Sequence, residues 1–288
     1  MSSQRLPIRF RPVRYALSAI LVAGAVAAPL AAQAPRPASR EVLLATTTSL
    51  YDTGLLDSIS PIFERASGYH LRIVAVGSGQ ALKMGERGDA DVVFAHSPAA
   101  EAAFMAAGHG TRRQVVATNY FTIVGPPSDP ARVGGAASVS DALRRIVATS
   151  SVFVSRGDSS GTHVRELALW SSAGVRPDFR GYLETGQGQS ATLLVADERR
   201  GYALTDRSTY GALRRRLDLI PLREREPALL NVYHVIEVNP SGRPRVNTAG
   251  ARAFADFMVS PATQDLLESF GRSRFGEALF VPARGVEP

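Results

Sequence analysis

The chain has 288 residues, 45% of them hydrophobic, no cysteine and a formal net charge of +7. That length admits one large domain or two small ones, with a core big enough to hold without disulfides, and the missing cysteine excludes a lipoprotein anchor. Four units of the charge come from Arg5, Arg9, Arg11 and Arg14, leaving +3 for the rest, which is no case for a nucleic-acid partner.

Those four arginines precede an apolar run from Tyr15 to Ala28 and the small residues Ala31, Ala32 and Ala34. This is the pattern of a cleaved secretory signal peptide over residues 1–34, with cleavage near Ala32 to Ala34. The run is too short and alanine-rich to span a bilayer, so a periplasmic or extracytoplasmic protein is expected.

Glu41–Ala45 reads as a strand running into four hydroxyl residues, Thr46, Thr47, Thr48 and Ser49. Asp52 is expected to cap a helix over Thr53–Ser67, with Leu55, Leu56, Ile59, Ile62 and Phe63 at helical spacing, Pro61 as a kink and Gly68 as the stop. His70–Val76 is a second strand, followed by Gly77-Ser78-Gly79 and a helix to Glu86. The turn lacks the later glycine of G-x-G-x-x-G and the Gly-Lys-Ser/Thr of a P-loop, so a nucleotide is not indicated. A strand at Asp91–Ala95 and a helix at Pro98–Ala107 follow, then strands at Val115–Ala117 and Phe121–Val124. Such alternation predicts an α/β fold with largely parallel sheets, and in these sheets ligands bind at the carboxyl ends of the strands.

After a helix at Ser138–Thr149 comes the richest stretch, Ser155–Glu166, SRGDSSGTHVRE. A strand from Ser151 to Val154 precedes it, and Val164, Leu167, Ala168 and Trp170 are spaced for one helix face. The turn offers Arg156, the hydroxyls of Ser159, Ser160 and Thr162, and the open N–H groups of a helix start beside Gly161, all of which suit a small oxyanion. Two other readings stand beside it. One is a plain helix cap. The other is a nucleophile elbow, because Gly157-Asp158-Ser159-Ser160-Gly161 also fits G-x-S-x-G. A hydrolase would need Ser159 to find an acid and a histidine, such as Asp206 or Asp218 with His234, and His234 lies in an apolar strand pattern that favours a structural role. The five histidines have no metal-ligand spacing.

Further strands are expected at Gly181–Glu184, Tyr202–Thr205 and Leu217–Ile220, the last stopped by Pro221, with helices between them. Val232–Val238 is a return strand, and helices at Thr248–Val259 and Pro261–Phe270 close the chain. The pattern divides into two lobes, residues 41–125 plus 236–285 and residues 126–235, joined by two crossings.

The runs LATTTSLYDTGLL, VGSGQAL, GDADVVFAH, FVSRGDSSGTH, YLETGQG and ALTDR, in this order between Val42 and Phe280, together resemble the periplasmic tungstate-binding proteins of ABC transporters. The resemblance implies a two-lobed type II periplasmic binding protein that is not an enzyme, has no cofactor and is a monomer. It would bind tungstate or molybdate between its lobes and deliver it to a membrane permease. By motif, Thr47, Thr48 and Ser49 match the family's hydroxyl cluster, Ser78 its V-G-x-G turn, and Arg156 with Ser160, Gly161 and Thr162 its SRGD-x-SGT turn. Two motifs depart from the pattern: members often read TGQGMG and TDRGT, where this chain has Gln189, Ser190 and Ser208. A tetrahedral dianion brings four acceptor oxygens and no proton, so its site needs donors and a cation. Phosphate usually carries a proton and wants an acceptor such as Asp158, which keeps phosphate, and sulfate beside it, as alternatives.

Overall fold

The computed structural model describes residues 40–283, so the signal-peptide expectation and the last residues of the first lobe lie outside it. The first half alternates strands and helices: β1 (Glu41–Thr47), α1 (Thr48–Asp52), α2 (Leu55–Ser67), β2 (His70–Val76), α3 (Ser78–Arg87), β3 (Val92–Ala95) and α4 (Pro98–Ala106). A 16-residue strand, β4 (Gly110–Gly125), follows. Then come α5 (Val139–Ala148), β5 (Phe153–Ser155), α6 (Gly161–Ser172), β6 (Tyr182–Glu184), α7 (Gln189–Glu198), β7 (Ala203–Asp206), α8 (Arg207–Leu213) and β8 (Ile220–Arg223). The chain returns through β9 (Leu230–Val238) and ends in α9 (Thr248–Val259), α10 (Pro261–Ser269), α11 (Arg272–Phe275) and β10 (Val281–Pro282).

Strands β1 and β2 pair in parallel over their full length, from Glu41 opposite His70 to Thr47 opposite Val76, and β3 joins β1 in parallel on the other side. The long strands break the parallel pattern. β9 runs antiparallel to β3, and β4 antiparallel to β9. β4 changes partner along its length: Gly110 to Tyr120 face β9, while Phe121 to Val124 face β7. β5 and β6 form a parallel pair, and an isolated bridge links Phe153 to Tyr202. The sheets are therefore mixed, with helices packed against them. One core gathers Leu44, Leu56, Phe63, Phe94, Tyr233 and Phe254 around β1, β3 and β9. Another gathers Ile123, Leu143, Phe153, Trp170 and Tyr202 around β4, β5 and α5. Edge-to-face pairs stand in each, Phe63 with Phe254 at 5.2 Å and Phe153 with Trp170 at 5.0 Å between ring centres.

Several sequence expectations change. Asp52 closes α1 rather than capping a helix, because Thr47 takes the cap and the hydroxyl run itself turns helical. The strands expected at Val115–Ala117 and Phe121–Val124 are one strand, since Thr118 to Tyr120 continue the ladder to β9. Pro221 lies inside β8, opposite Val124 where the register shifts, a place that needs no ladder donor. On α6, Val164 and Leu167 are exposed, and the buried face carries Thr162, His163, Glu166, Leu169 and Trp170. Polar residues bought that face by pairing: Glu166 accepts from Ser155 Oγ, Trp170 Nε1 and the Tyr182 hydroxyl.

His234 does take a structural role. It lies 2.7 Å from the carboxylate of Glu101, which is fully buried and also accepts from Arg113 and from the Ser97 amide. Burial alone would raise the Glu101 pKa, but His234, Ser97 and Arg113 hold it below the ordinary value. This cluster anchors the turn after β3. Glu101→Ala strands two basic groups in the interior and is expected to lower unfolding stability by ~3–5 kcal/mol in urea titrations. An unchanged midpoint would show that the cluster does not hold the turn.

Candidate functional site

Three strand-to-helix turns meet at the carboxyl ends of β1, β2 and β5, and the turn after β6 closes beside them. In the first, Thr47 caps α1 by accepting from the Leu50 amide at 3.3 Å. Its Oγ1 lies 3.2 Å from Ser49 Oγ, which in turn lies 3.1 Å from His96 Nε2. Thr46 Oγ1 donates to the Phe94 carbonyl at 2.8 Å. In the second, Gly77 is the extended cap residue and Ser78 opens α3, its side chain buried.

The third turn carries the stretch singled out in the sequence. Arg156 follows β5 and is 3% exposed. Its Nη2 reaches Thr48 Oγ1 at 3.5 Å and pairs with the Asp158 carboxylate. Asp158 Oδ1 accepts from the Ser160 amide at 3.1 Å. Gly157 and Ser159 both sit in the left-handed region, with φ of +62° and +57°, which folds the turn back over the helix start. Ser160 is the cap of α6 and accepts from the His163 amide. In the fourth turn, Gly188 precedes α7, Gln189 Nε2 donates to the Leu204 carbonyl, and Ser190 Oγ bonds Asp52 at 2.8 Å.

The turns touch through residues that have no side chain. A methyl group at Gly161 would stand 2.8 Å from Ser78 Oγ and 3.3 Å from the His96 carbonyl. One at Gly77 would stand 3.7 Å from Ser160 Cα, and one at Gly188 would stand 3.8 Å from Thr48 Oγ1. Ser78, Gly161, Ser160, Arg156 and Thr48 are thereby drawn together, with Thr162 in the first turn of the same helix. Among the described residues, three polar atoms of this group are buried with no hydrogen-bond partner: Ser78 Oγ, Thr162 Oγ1 and Arg156 Nε. All three can donate. The first turns of α3, α6 and α7 add unpaired amides and partial positive charge. Thr47, Ser49 and Ser160 sit in the same cluster, but their oxygens have partners within the chain.

Two of the partners named for a hydrolase have other contacts. His234 pairs with Glu101, and Asp206 holds Ser208 and Thr209. The three residues that depart from the family motifs have defined contacts, Gln189 with the Leu204 carbonyl, Ser190 with Asp52 and Ser208 with Asp206. His96 is the residue that sequence reasoning passed over. It ends the GDADVVFAH run directly after β3, a position that the strand-end rule marks as ligand-facing.

No helix among the described residues is long and apolar enough to cross a membrane. Residues 32–262 match the model of a periplasmic binding protein (PBP) superfamily domain. Over 247 residues the chain is 42% identical to the tungstate-binding protein TupA of Peptoclostridium acidaminophilum, covering 85% of this chain and 86% of that one. Among solved structures, a tungstate ABC transporter protein from Geobacter sulfurreducens superposes with a TM-score of 0.73 at 42% identity, covering 80% of this chain and 98% of that one. The tungstate-binding protein TupA from Desulfovibrio alaskensis gives 0.71 at 44% identity, covering 84% and 98%. The chain belongs to the periplasmic binding protein superfamily, with the type II fold of the tungstate-binding proteins of ABC transporters.

Proposed function

We propose that this protein captures a tetrahedral oxyanion, tungstate first and molybdate second, where the four turns converge, and delivers it to an ABC-transporter permease. The observation that carries this reading is the set of three buried donors without acceptors, Ser78 Oγ, Thr162 Oγ1 and Arg156 Nε. A buried donor left unpaired costs about 1–3 kcal/mol, and an oxyanion supplies acceptors to all three. The carboxylate that would receive the proton of hydrogen phosphate, Asp158, is held by Arg156 and the Ser160 amide. That arrangement favours an anion carrying no proton at neutral pH.

In this reading Thr48, Ser78, Arg156 and Thr162 donate to the ligand, and Ser160 and Gly161 shape the turn beneath it. Residues 41–125 with 236–285 and residues 126–235 act as the two lobes, and β4 and β9 carry the crossings. The protein is a monomer, exported by the segment 1–34, and performs no chemistry on its cargo.

Calorimetric titration with tungstate, molybdate, sulfate and phosphate tests the class. Tungstate and molybdate are expected to bind more tightly than the other two, and no binding of any oxyanion would end the proposal. Arg156→Ala is expected to cost ~2–4 kcal/mol, roughly 30- to 1,000-fold in affinity, because it also leaves the Asp158 carboxylate facing the anion. Arg156→Lys recovers part of this, since an ammonium does not reproduce the planar fork. Wild-type affinity in Arg156→Ala would move the anion elsewhere. A separate test concerns the glycine contact. The added methyl of Gly161→Ala meets Ser78 Oγ and the His96 carbonyl, and tungstate affinity is expected to fall by at least about tenfold together with a lower ligand-free melting temperature. Retained affinity would mean that α6 and α3 do not have to meet for binding.

A further inference from the structure

The four consecutive hydroxyls at the end of β1 and the start of α1 do not all serve the same end, and the hydrogen-bond network behind them fixes which way each proton points. The Leu279 carbonyl can only accept, so the Asn119 amide nitrogen must face it, at 3.4 Å. Asn119 therefore turns its oxygen to Asn231, whose amide nitrogen donates to it at 2.9 Å and to the Tyr233 hydroxyl at 3.0 Å. With both amide protons spent, Asn231 presents Oδ1 to His96 Nδ1 at 3.1 Å, and Nδ1 must carry the proton.

His96 is 2% exposed. Burial holds its pKa below the ordinary value, with Arg156 adding to that and Asp206, Glu101 and the Asn231 bond opposing it. Its ring packs against Tyr233 at 4.9 Å and Phe121 at 6.2 Å between centres. A neutral ring protonated on Nδ1 leaves Nε2 as a bare acceptor. Ser49 then has to donate its only hydroxyl proton to His96. Thr47, whose oxygen already receives the Leu50 amide, has to donate to Ser49. Thr46 donates to the Phe94 carbonyl. Thr48 receives from Arg156 and, unlike the other three, does not spend its proton within this network.

We propose that His96 is a positioning residue for the oxyanion cleft: as the Nδ1-protonated tautomer it draws the hydroxyl protons of Ser49 and Thr47 into the protein, so that of four adjacent hydroxyls only Thr48 donates to the ligand. The inference rests on the oxyanion reading for its ligand and on the hydrogen-bond network alone for its proton directions. It separates one donor from three braces in a run that looks uniform in sequence. It also ties the cleft to both long strands, since Asn119 lies in β4 and Asn231 in β9.

Nitrogen-15 NMR of the ligand-free full chain, with His96 assigned by comparison with His96→Gln, reads the tautomer directly. The expected spectrum shows a protonated Nδ1 and a bare Nε2, unchanged between pH 8 and pH 6 and unchanged by tungstate. A protonated Nε2 or a doubly protonated ring at pH 7 would overturn the proposal. Titration with tungstate then compares Thr48→Val with Ser49→Ala, each checked for folding by its melting temperature. The affinity loss in Thr48→Val is expected to exceed that in Ser49→Ala by about fivefold or more, and Thr48→Ser to recover most of it, as one hydrogen bond to a charged group requires. An equal or larger loss in Ser49→Ala would overturn the assignment of donors. If the wild-type chain bound no tungstate, the oxyanion reading would fail, and the His96 spectrum would still decide the proton directions.

Discussion

Ser78 Oγ, Thr162 Oγ1 and Arg156 Nε are buried without acceptors, and the surrounding structure follows from keeping them so. Hydration would satisfy these donors at the expense of selectivity. Their burial needs the turns after β2 and β5 to approach within contact distance, which no side chain at Gly161 allows, because a methyl there would stand 2.8 Å from Ser78 Oγ. Gly77 and Gly188 meet the same demand less severely, with 3.7 Å and 3.8 Å of clearance. Each turn opens a helix, and the first amides of α3, α6 and α7 have no intrahelical acceptor.

Much of this was legible, and the misses have physical causes. The hydroxyl run and the Ser78 turn stand out because each lies at a strand's carboxyl end, and the parallel pairing of β1 with β2 puts those two ends on one edge, while the Arg156 turn follows β5, which pairs in parallel with β6. The buried face of α6 was misread because it is built from Glu166, His163 and Thr162, whose burial depends on partners distant in sequence. Apolar spacing pointed instead to Val164 and Leu167, which are exposed. The unity of β4 was hidden by Thr118, Asn119 and Tyr120, polar in pattern but held in the ladder to β9. His96 carried no motif of its own. Its role comes from Asn231, 135 residues away, and no local reading reaches that far.

The charge balance of the cleft bears on selectivity. Arg156 is the nearest cation, but Asp158 already pairs with it, and Glu166 lies under the same turn, bonded to Ser155. Burial pushes the Glu166 pKa up to about 7, against the hydrogen bonds from Ser155, Tyr182 and Trp170. In the proposed site the charge of Arg156 is thus offset by Asp158, and recognition would fall to donors aimed at fixed points, which depends on the geometry of the oxygens more than on their total charge.

Fixed donors are useful only if their protons cannot rotate to other acceptors. Three of the four hydroxyls where β1 meets α1 are tied inward, to the Phe94 carbonyl, to Ser49 and to His96. The chain of bonds ends at the Leu279 carbonyl, near the strand β10 that pairs with β4. A rigid backbone acceptor far from the cleft thus fixes the orientation of Asn119, then Asn231, then His96, then Ser49. What remains for the proposed ligand is a short set of donors at helix starts, Ser78 Oγ, Thr162 Oγ1 and Arg156 Nε, which have no acceptor in the protein. Under the proposed function, a set made of donors leaves little tolerance for an oxygen that brings its own proton.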